Sequence, residues 1–303
     1  MGCPPSALGV SRECLARPSA PDIHRMALAL NVGAALALNV VDVGAHSIAK
    51  NLPFENKDSY LLAPPRFFGV FDGVSQCPQS RAFSQTLAKT LSVALPASND
   101  DDFGSQAQSA LSKAVAAASD YSGASTALVV RLSLDQDEPK VQTCCLGDCQ
   151  CMILREVEGA LAIADISDVK FHGNGAPYQL AGRGWTSDSP ADAVCEEFAV
   201  CAGDTLLCFS DGFANNWQSP DEVPRAVSAC KGMSAEAMAK QLVEQASRAK
   251  IVVDDVTVVA MRLGDGPEVR GEAVTSAAEG FDPMVALADF NPLKAVPNPF
   301  ARK

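Results

Sequence analysis

Four short apolar runs in this chain each deliver an aspartate: FFGVFDGV, CCLGDC, LLCFSDGF and VVDDVTVV place Asp72, Asp148, Asp211 and Asp254. Each run has the length and composition of a buried strand. A stiff strand that ends on a carboxylate holds it where the following loop faces solvent, a common way to build a metal site. One such run is ordinary, because Asp often follows a strand in a turn. Four of them, spread over most of the chain, point to strands converging on one pocket.

At 303 residues the chain has room for one large domain or two ordinary ones, and its 48% hydrophobic content supplies a core. The net charge is −12 and the pI about 4.7. No cluster of Lys and Arg appears, which argues against a nucleic-acid partner. The acidity suits a protein that gathers carboxylates around divalent cations. Of the eleven cysteines, Cys144, Cys145, Cys149 and Cys151 crowd one predicted strand pair, and none has the C-x-x-C spacing of a zinc ribbon. Two readings follow: reduced thiols serving as small hydrophobes in an intracellular compartment, or a redox-sensitive Cys149 beside Asp148.

The most apolar stretch, 26–41, is too short to span a bilayer and carries Asn31 and Asn39, so no transmembrane span is expected. The opening MGCPPS fits N-myristoylation at Gly2, and Cys3 beside it offers a palmitoylation site. Two acyl chains would give firm contact with a membrane surface. The other reading is an organellar transit peptide using Arg12, Arg17 and Arg25. The expected location is therefore intracellular, either cytoplasmic or peripheral to a membrane, with mitochondrion or plastid as the alternative.

Residues 1–26 are aperiodic and read as a flexible N-terminal segment, 27–264 as the folded domain, and 265–303 as a disordered tail. Apolar residues recur at helical spacing over 80–95, 105–120 and 234–249, the last with Ser234 as its N-cap. Strands are predicted at TALVVRLSL, KVQTCCLGD, QCMILRE, DTLLCFSD and VTVVAMRL. The Gly- and Pro-containing segment 165–193 reads as a long loop suited to a lid or specificity insert. Strand runs broken by helical pairs imply an α+β sandwich with antiparallel sheets. The chain lacks G-x-G-x-x-G and a Walker lysine, so a Rossmann enzyme fits poorly.

The ordered series KDSYLL, FGVFDGV, GASTALV, LGD, SDGF and DDVTVV resembles the metal-dependent Ser/Thr protein phosphatases of the PPM (PP2C) family. NGAPYQL followed by SPADA and GDTLLCFSDGFANN is similar to its PTC7-like branch. The resemblance implies an α-β-β-α sandwich of two antiparallel sheets flanked by helices, acting as a monomer on phosphoprotein substrates. It also implies two Mn²⁺ or Mg²⁺ ions in a cleft at one end. By that resemblance Asp72 bridges both ions, the Gly73 carbonyl completes one shell, and Asp211 and Asp254 hold the other ion. Asp58 lies beside the metal waters, and Asp148 matches an acid linked to a looser third ion. The expected reaction is hydrolysis of phosphoserine or phosphothreonine by a metal-activated hydroxide attacking in line. The residue types agree independently, since carboxylate oxygens suit Mn²⁺ or Mg²⁺ and no Cys-x5-Arg loop is present.

Three positions depart from the family pattern. Lys57 replaces the acid that usually precedes Asp58, and either weakens one ion site or contacts substrate phosphate. Ser75 and Gln76 replace a glycine pair, which alters the loop after Asp72. No Arg occupies the usual phosphate-contact position, leaving Lys50 or His46 to stand in. The alternative function is a catalytically impaired pseudophosphatase that binds or regulates phosphoproteins.

Overall fold

The computed structural model describes residues 38–50, 55–98, 101–134 and 138–276. The expectations for 1–26, for acylation at Gly2 and Cys3, and for the tail past 276 lie outside the described residues. Strands β1 (Asn39–Ile48), β2 (Ser59–Ala63) and β3 (Phe67–Phe71) lead into helices α1 (Ser80–Ala94) and α2 (Phe103–Ala118). Then come β4 (Ala124–Ser125), β5 (Ala127–Ser133), β6 (Lys140–Leu146), β7 (Gln150–Val157), β8 (Ala160–Ile166) and β9 (Leu180–Ala181). After a short 3-10 turn follow β10 (Val194–Ala199), β11 (Thr205–Phe209), α3 (Asp211–Ala214), α4 (Glu222–Ala229), α5 (Ala235–Ala249), β12 (Val256–Gly264) and β13 (Val274–Thr275).

The strands form a five-stranded sheet ordered β1-β12-β11-β7-β8 and a six-stranded sheet ordered β10-β6-β5-β3-β2-β13, with β4 and β9 pairing separately. Every ladder is antiparallel. Three apolar layers fill the spaces between elements. Phe68, Val70, Leu128, Val130, Ile153, Leu206 and Val259 pack between the two sheets. Phe71, Val129 and Leu146 meet Phe83, Leu87, Leu91 and Leu111 of α1 and α2 on one outer face. Met152, Leu154, Leu207 and Val258 meet Met238, Leu242 and Val243 of α5 on the other. This is the expected α-β-β-α sandwich.

That layering explains the near-continuous apolar runs. Successive side chains of a strand point to opposite faces, and here both faces of the central strands are covered. Val129 enters the helix layer while Leu128 and Val130 enter the inter-sheet layer. The helices fall where their periodicity placed them, and Ser234 caps α5 by accepting a bond from the Ala237 amide at 3.2 Å. The described chain continues past residue 264, and β13 adds to β2 with Val274 opposite Leu62.

Antiparallel register brings the acidic residues to one end. Ser59 pairs with Phe71, so Asp58 before β2 lies beside Asp72 after β3. Phe209 pairs with Val258 and with Gln150, which aligns Asp211 after β11 with Asp254 and Asp255 before β12 and with Asp148 before β7. The expectation that each strand delivers an aspartate at its carboxyl end is corrected for Asp254. It precedes β12, because neighbouring antiparallel strands bring opposite chain ends to the same edge.

Candidate functional site

Asp58 is buried, at 3% exposure. Its Oδ2 accepts a bond from Thr257 Oγ1 at 2.8 Å, and Thr257 in turn contacts Ser47 Oγ at 2.5 Å. Asp58 of one sheet is thereby tied to β12 and β1 of the other. Its Oδ1 is buried without a hydrogen-bond partner. Burial, helped by the neighbouring Asp255 charge, pushes the Asp58 pKa up to about 7. Asp72 is raised well above the usual carboxylate range by burial and by Asp58, Asp211 and Asp148 around it. Like charges gathered in a place poor in water disfavour ionisation.

Asp211 opens α3, and its Oδ2 accepts a bond from Asn215 Nδ2 at 3.0 Å. The turn is packed so closely against the 254–255 loop that a Cβ on Gly212 would stand 1.9 Å from the Asp255 carbonyl oxygen. Gly73 is similarly confined: a Cβ there would stand 2.3 Å from the Lys57 carbonyl oxygen. Asp254 Oδ1 accepts from the Asp255 amide at 2.9 Å and from Lys50 Nζ at 3.2 Å. Asp255 lies next to the Asp254 ligand position, where the family often has Asn. Its two oxygens accept the amides of Lys50 at 2.8 Å and Lys57 at 2.9 Å, clamping the segments on either side of 51–54. The signal for it was present in the doubled aspartate DDVTVV.

The structure therefore brings together Asp58, Asp72, Gly73, Asp148, Asp211 and Asp254. Among the described residues, no three His, Cys, Asp or Glu side chains are gathered tightly enough to hold an ion by themselves. Water and the Gly73 carbonyl would have to complete any shell. The donor set still fits hard divalent cations: it is all oxygen, it concentrates negative charge, and it leaves a buried carboxylate oxygen unsatisfied.

The two lysines have different surroundings. Burial opposes the Lys50 ammonium, but the Asp254, Asp255 and Asp72 carboxylates outweigh it and raise its pKa. Lys50 Nζ also reaches Ser75 Oγ at 2.5 Å, which leaves it at the edge of the acidic cluster. Lys57 corrects the expectation of a phosphate contact. Its ammonium donates to the Ser75 and Cys77 carbonyls at 2.8 and 2.9 Å, and burial lowers its pKa. It braces the loop in which Ser75 and Gln76 replace glycines, so these two departures form one local solution. His46 is also corrected. Ser47 faces Thr257 and the site, so alternation along β1 turns His46 toward Lys240, Glu244 and Glu236 of α5.

The 165–193 segment is fastened beside Asp148. The Lys170 amide donates to the Gly147 carbonyl at 2.7 Å, and β9 pairs with β4. Within it His172 stacks on Tyr178 at 3.9 Å, with Lys170 Nζ 4.4 Å from the Tyr178 ring centroid. Cys149, the cysteine singled out beside Asp148, is fully buried with Sγ 3.2 Å from Thr126 Oγ1, which favours the core-filling reading.

No curated protein sequence matches the chain. Among solved structures, it is similar to the photosystem II phosphatase PBCP, at 21% identity and a TM-score of 0.59 over 74% of this chain and 98% of that one. It is also similar to the catalytic domain of the serine threonine protein phosphatase PstP in complex with two manganese ions, at 19% identity and a TM-score of 0.58 over 75% and 99%. The PP2C phosphatase domain with a fragment of the regulatory domain of the cell fate determinant SpoIIE from Bacillus subtilis matches at 19% identity and a TM-score of 0.52, over 75% of this chain and 63% of that one. These likenesses establish the fold. Stage II sporulation protein E (SpoIIE) is the family that matches residues 84–264, more than half of the sequence. The chain belongs to the SpoIIE family and has the fold of PP2C-type phosphatase domains.

Proposed function

We propose that this protein is a Mn²⁺- or Mg²⁺-dependent phosphatase of phosphoserine and phosphothreonine in proteins, working through a two-ion site at the acidic end of the sandwich. The observation that carries the reading is the convergence of Asp72 with Asp58, Asp211 and Asp148, where burial and then these like charges raise the Asp72 pKa. Such a cluster is costly at neutral pH unless cations neutralise it. By the family resemblance Asp72 would be shared by the two ions, the Gly73 carbonyl would complete the shell of one, Asp211 and Asp254 would hold the other, and Asp148 would take a weaker third. Bound there, the ions would lower the pKa of water and offset charge on a phosphoryl group. Thr257 and Ser210 orient Asp58, Asn215 orients Asp211, and Asp255 fixes the loop that delivers Lys50. Lys50, cationic and at the rim, is the group for a substrate phosphate oxygen. The 165–193 segment beside Asp148 would select among phosphoproteins.

One observation favours a second reading, a catalytically impaired phosphoprotein-binding member: Lys50 already occupies Asp254 Oδ1. Phosphate release from a phosphothreonine peptide separates the two. The enzyme reading expects release with Mn²⁺ that EDTA abolishes and that Asp211→Asn lowers by at least about 100-fold. Wild-type protein with no metal-dependent release would leave the impaired reading standing.

A further inference from the structure

Cys144 of β6 and Cys195 of β10 are direct cross-strand partners. Their sulfurs stand 2.9 Å apart, nearer than two non-bonded sulfurs rest and within reach of the S–S bond of about 2.05 Å. Opposed residues of an antiparallel pair have Cα atoms about 4.5–5.5 Å apart, inside the range that a disulfide spans. The two thiols differ in access, since Cys144 is fully buried while Cys195 is exposed on β10, an edge strand of its sheet. Cys195 Sγ also lies against the first turn of α2, 3.5 Å from where a Cβ on Gly104 would be. Contact with the Cys144 thiol lowers the Cys195 pKa, against burial and the neighbouring Asp102 and Glu196 carboxylates, and so favours the reactive thiolate. The pairing thus provides an accessible attacking sulfur and a protected resolving one.

We propose that Cys144 and Cys195 form a reversible disulfide, a redox modification site on the helix α2 side of the domain, with a hydroperoxide as oxidant. The Cys195 thiolate attacks the terminal peroxide oxygen. The O–O bond breaks, giving Cys195 sulfenic acid and a hydroxide or alkoxide that takes up a proton. The Cys144 sulfur then attacks the sulfenyl sulfur, the S–O bond breaks, and hydroxide leaves with the Cys144 proton as water. Two thiols lose two electrons and the peroxide gains them. The closed loop encloses β7, β8, Asp148 and the whole 165–193 segment, so oxidation restrains the chain around one side of the acidic cluster.

Cys151 and Cys208 provide an internal comparison. They too are cross-strand partners, but both are buried and no peroxide-accessible sulfur begins the sequence. The test uses the full-length reduced protein treated with hydrogen peroxide and mapped by non-reducing peptide mass spectrometry. The expected result is loss of two hydrogens, a Cys144–Cys195 linkage that dithiothreitol reverses, and an unfolding temperature raised by about 5–10 °C. Cys195→Ser, at an exposed position, should abolish the linkage. Cys144→Ala should leave a Cys195 sulfenic acid that a dione probe captures. A linkage between any other pair, or full retention of free thiols at Cys144 and Cys195 in folded wild-type protein, would overturn the proposal.

Discussion

Asp58 is the residue on which stability and proposed activity conflict. It lies buried with one oxygen unsatisfied and its pKa pushed up to about 7, mainly by burial. Removing its charge should relieve the metal-free protein while impairing the site, the usual trade-off at a functional position. Asp58→Asn should raise the unfolding temperature in EDTA by several degrees and lower Mn²⁺-dependent phosphate release by at least about 100-fold. Calorimetric unfolding and a phosphopeptide assay on the same preparation check both halves. The lysines show where residue-level reading stops. Lys57 could be seen from the sequence as a departure, but its bonds to Ser75 and Cys77 depend on a loop path that no local pattern encodes. His46 is on the helix side by strand alternation, which its position in the sequence does not reveal without the register of β1.

At the scale of elements, α1, α2 and α5 were legible because each buries a single stripe, and β5, β6, β7, β11 and β12 because both faces of each are covered. Strand β8 carried no such signal: it is an edge strand with only partly covered side chains. The acidic residues were visible as strand-end aspartates, whereas the shared edge that unites Asp58 with Asp72, and Asp211 with Asp254, is a property of antiparallel register. Close packing of α3 on the 254–255 loop holds the last two of these together. Gly212→Ala places a methyl 1.9 Å from the Asp255 carbonyl oxygen. The loop must shift, at a cost of about 2 kcal/mol or more. Urea unfolding should register that loss, and Mn²⁺ affinity should fall by at least about tenfold.

For the whole molecule, the acidic end makes stability depend jointly on pH and metal. In the metal-free protein Asp58 keeps its proton to about pH 7, whereas the unfolded chain releases it near the ordinary value of 3.8. The folded state thus binds more protons between these values, and stability falls as pH rises through that window. Asp72 shifts in the same direction. The unfolding temperature in EDTA should therefore drop between pH 5 and about pH 7.5, and saturating Mn²⁺ should remove or reverse the drop. A metal-free protein that grows more stable over that interval would contradict the placement of these carboxylates. The most direct test of the central claim, that this cluster is a divalent-cation site, is titration calorimetry of the full-length protein with Mn²⁺ at neutral pH. The account predicts about two ions bound per chain, with affinity lowered at least about tenfold by Asp72→Asn. No binding heat in the folded wild-type protein, or affinity unchanged by Asp72→Asn, would contradict it.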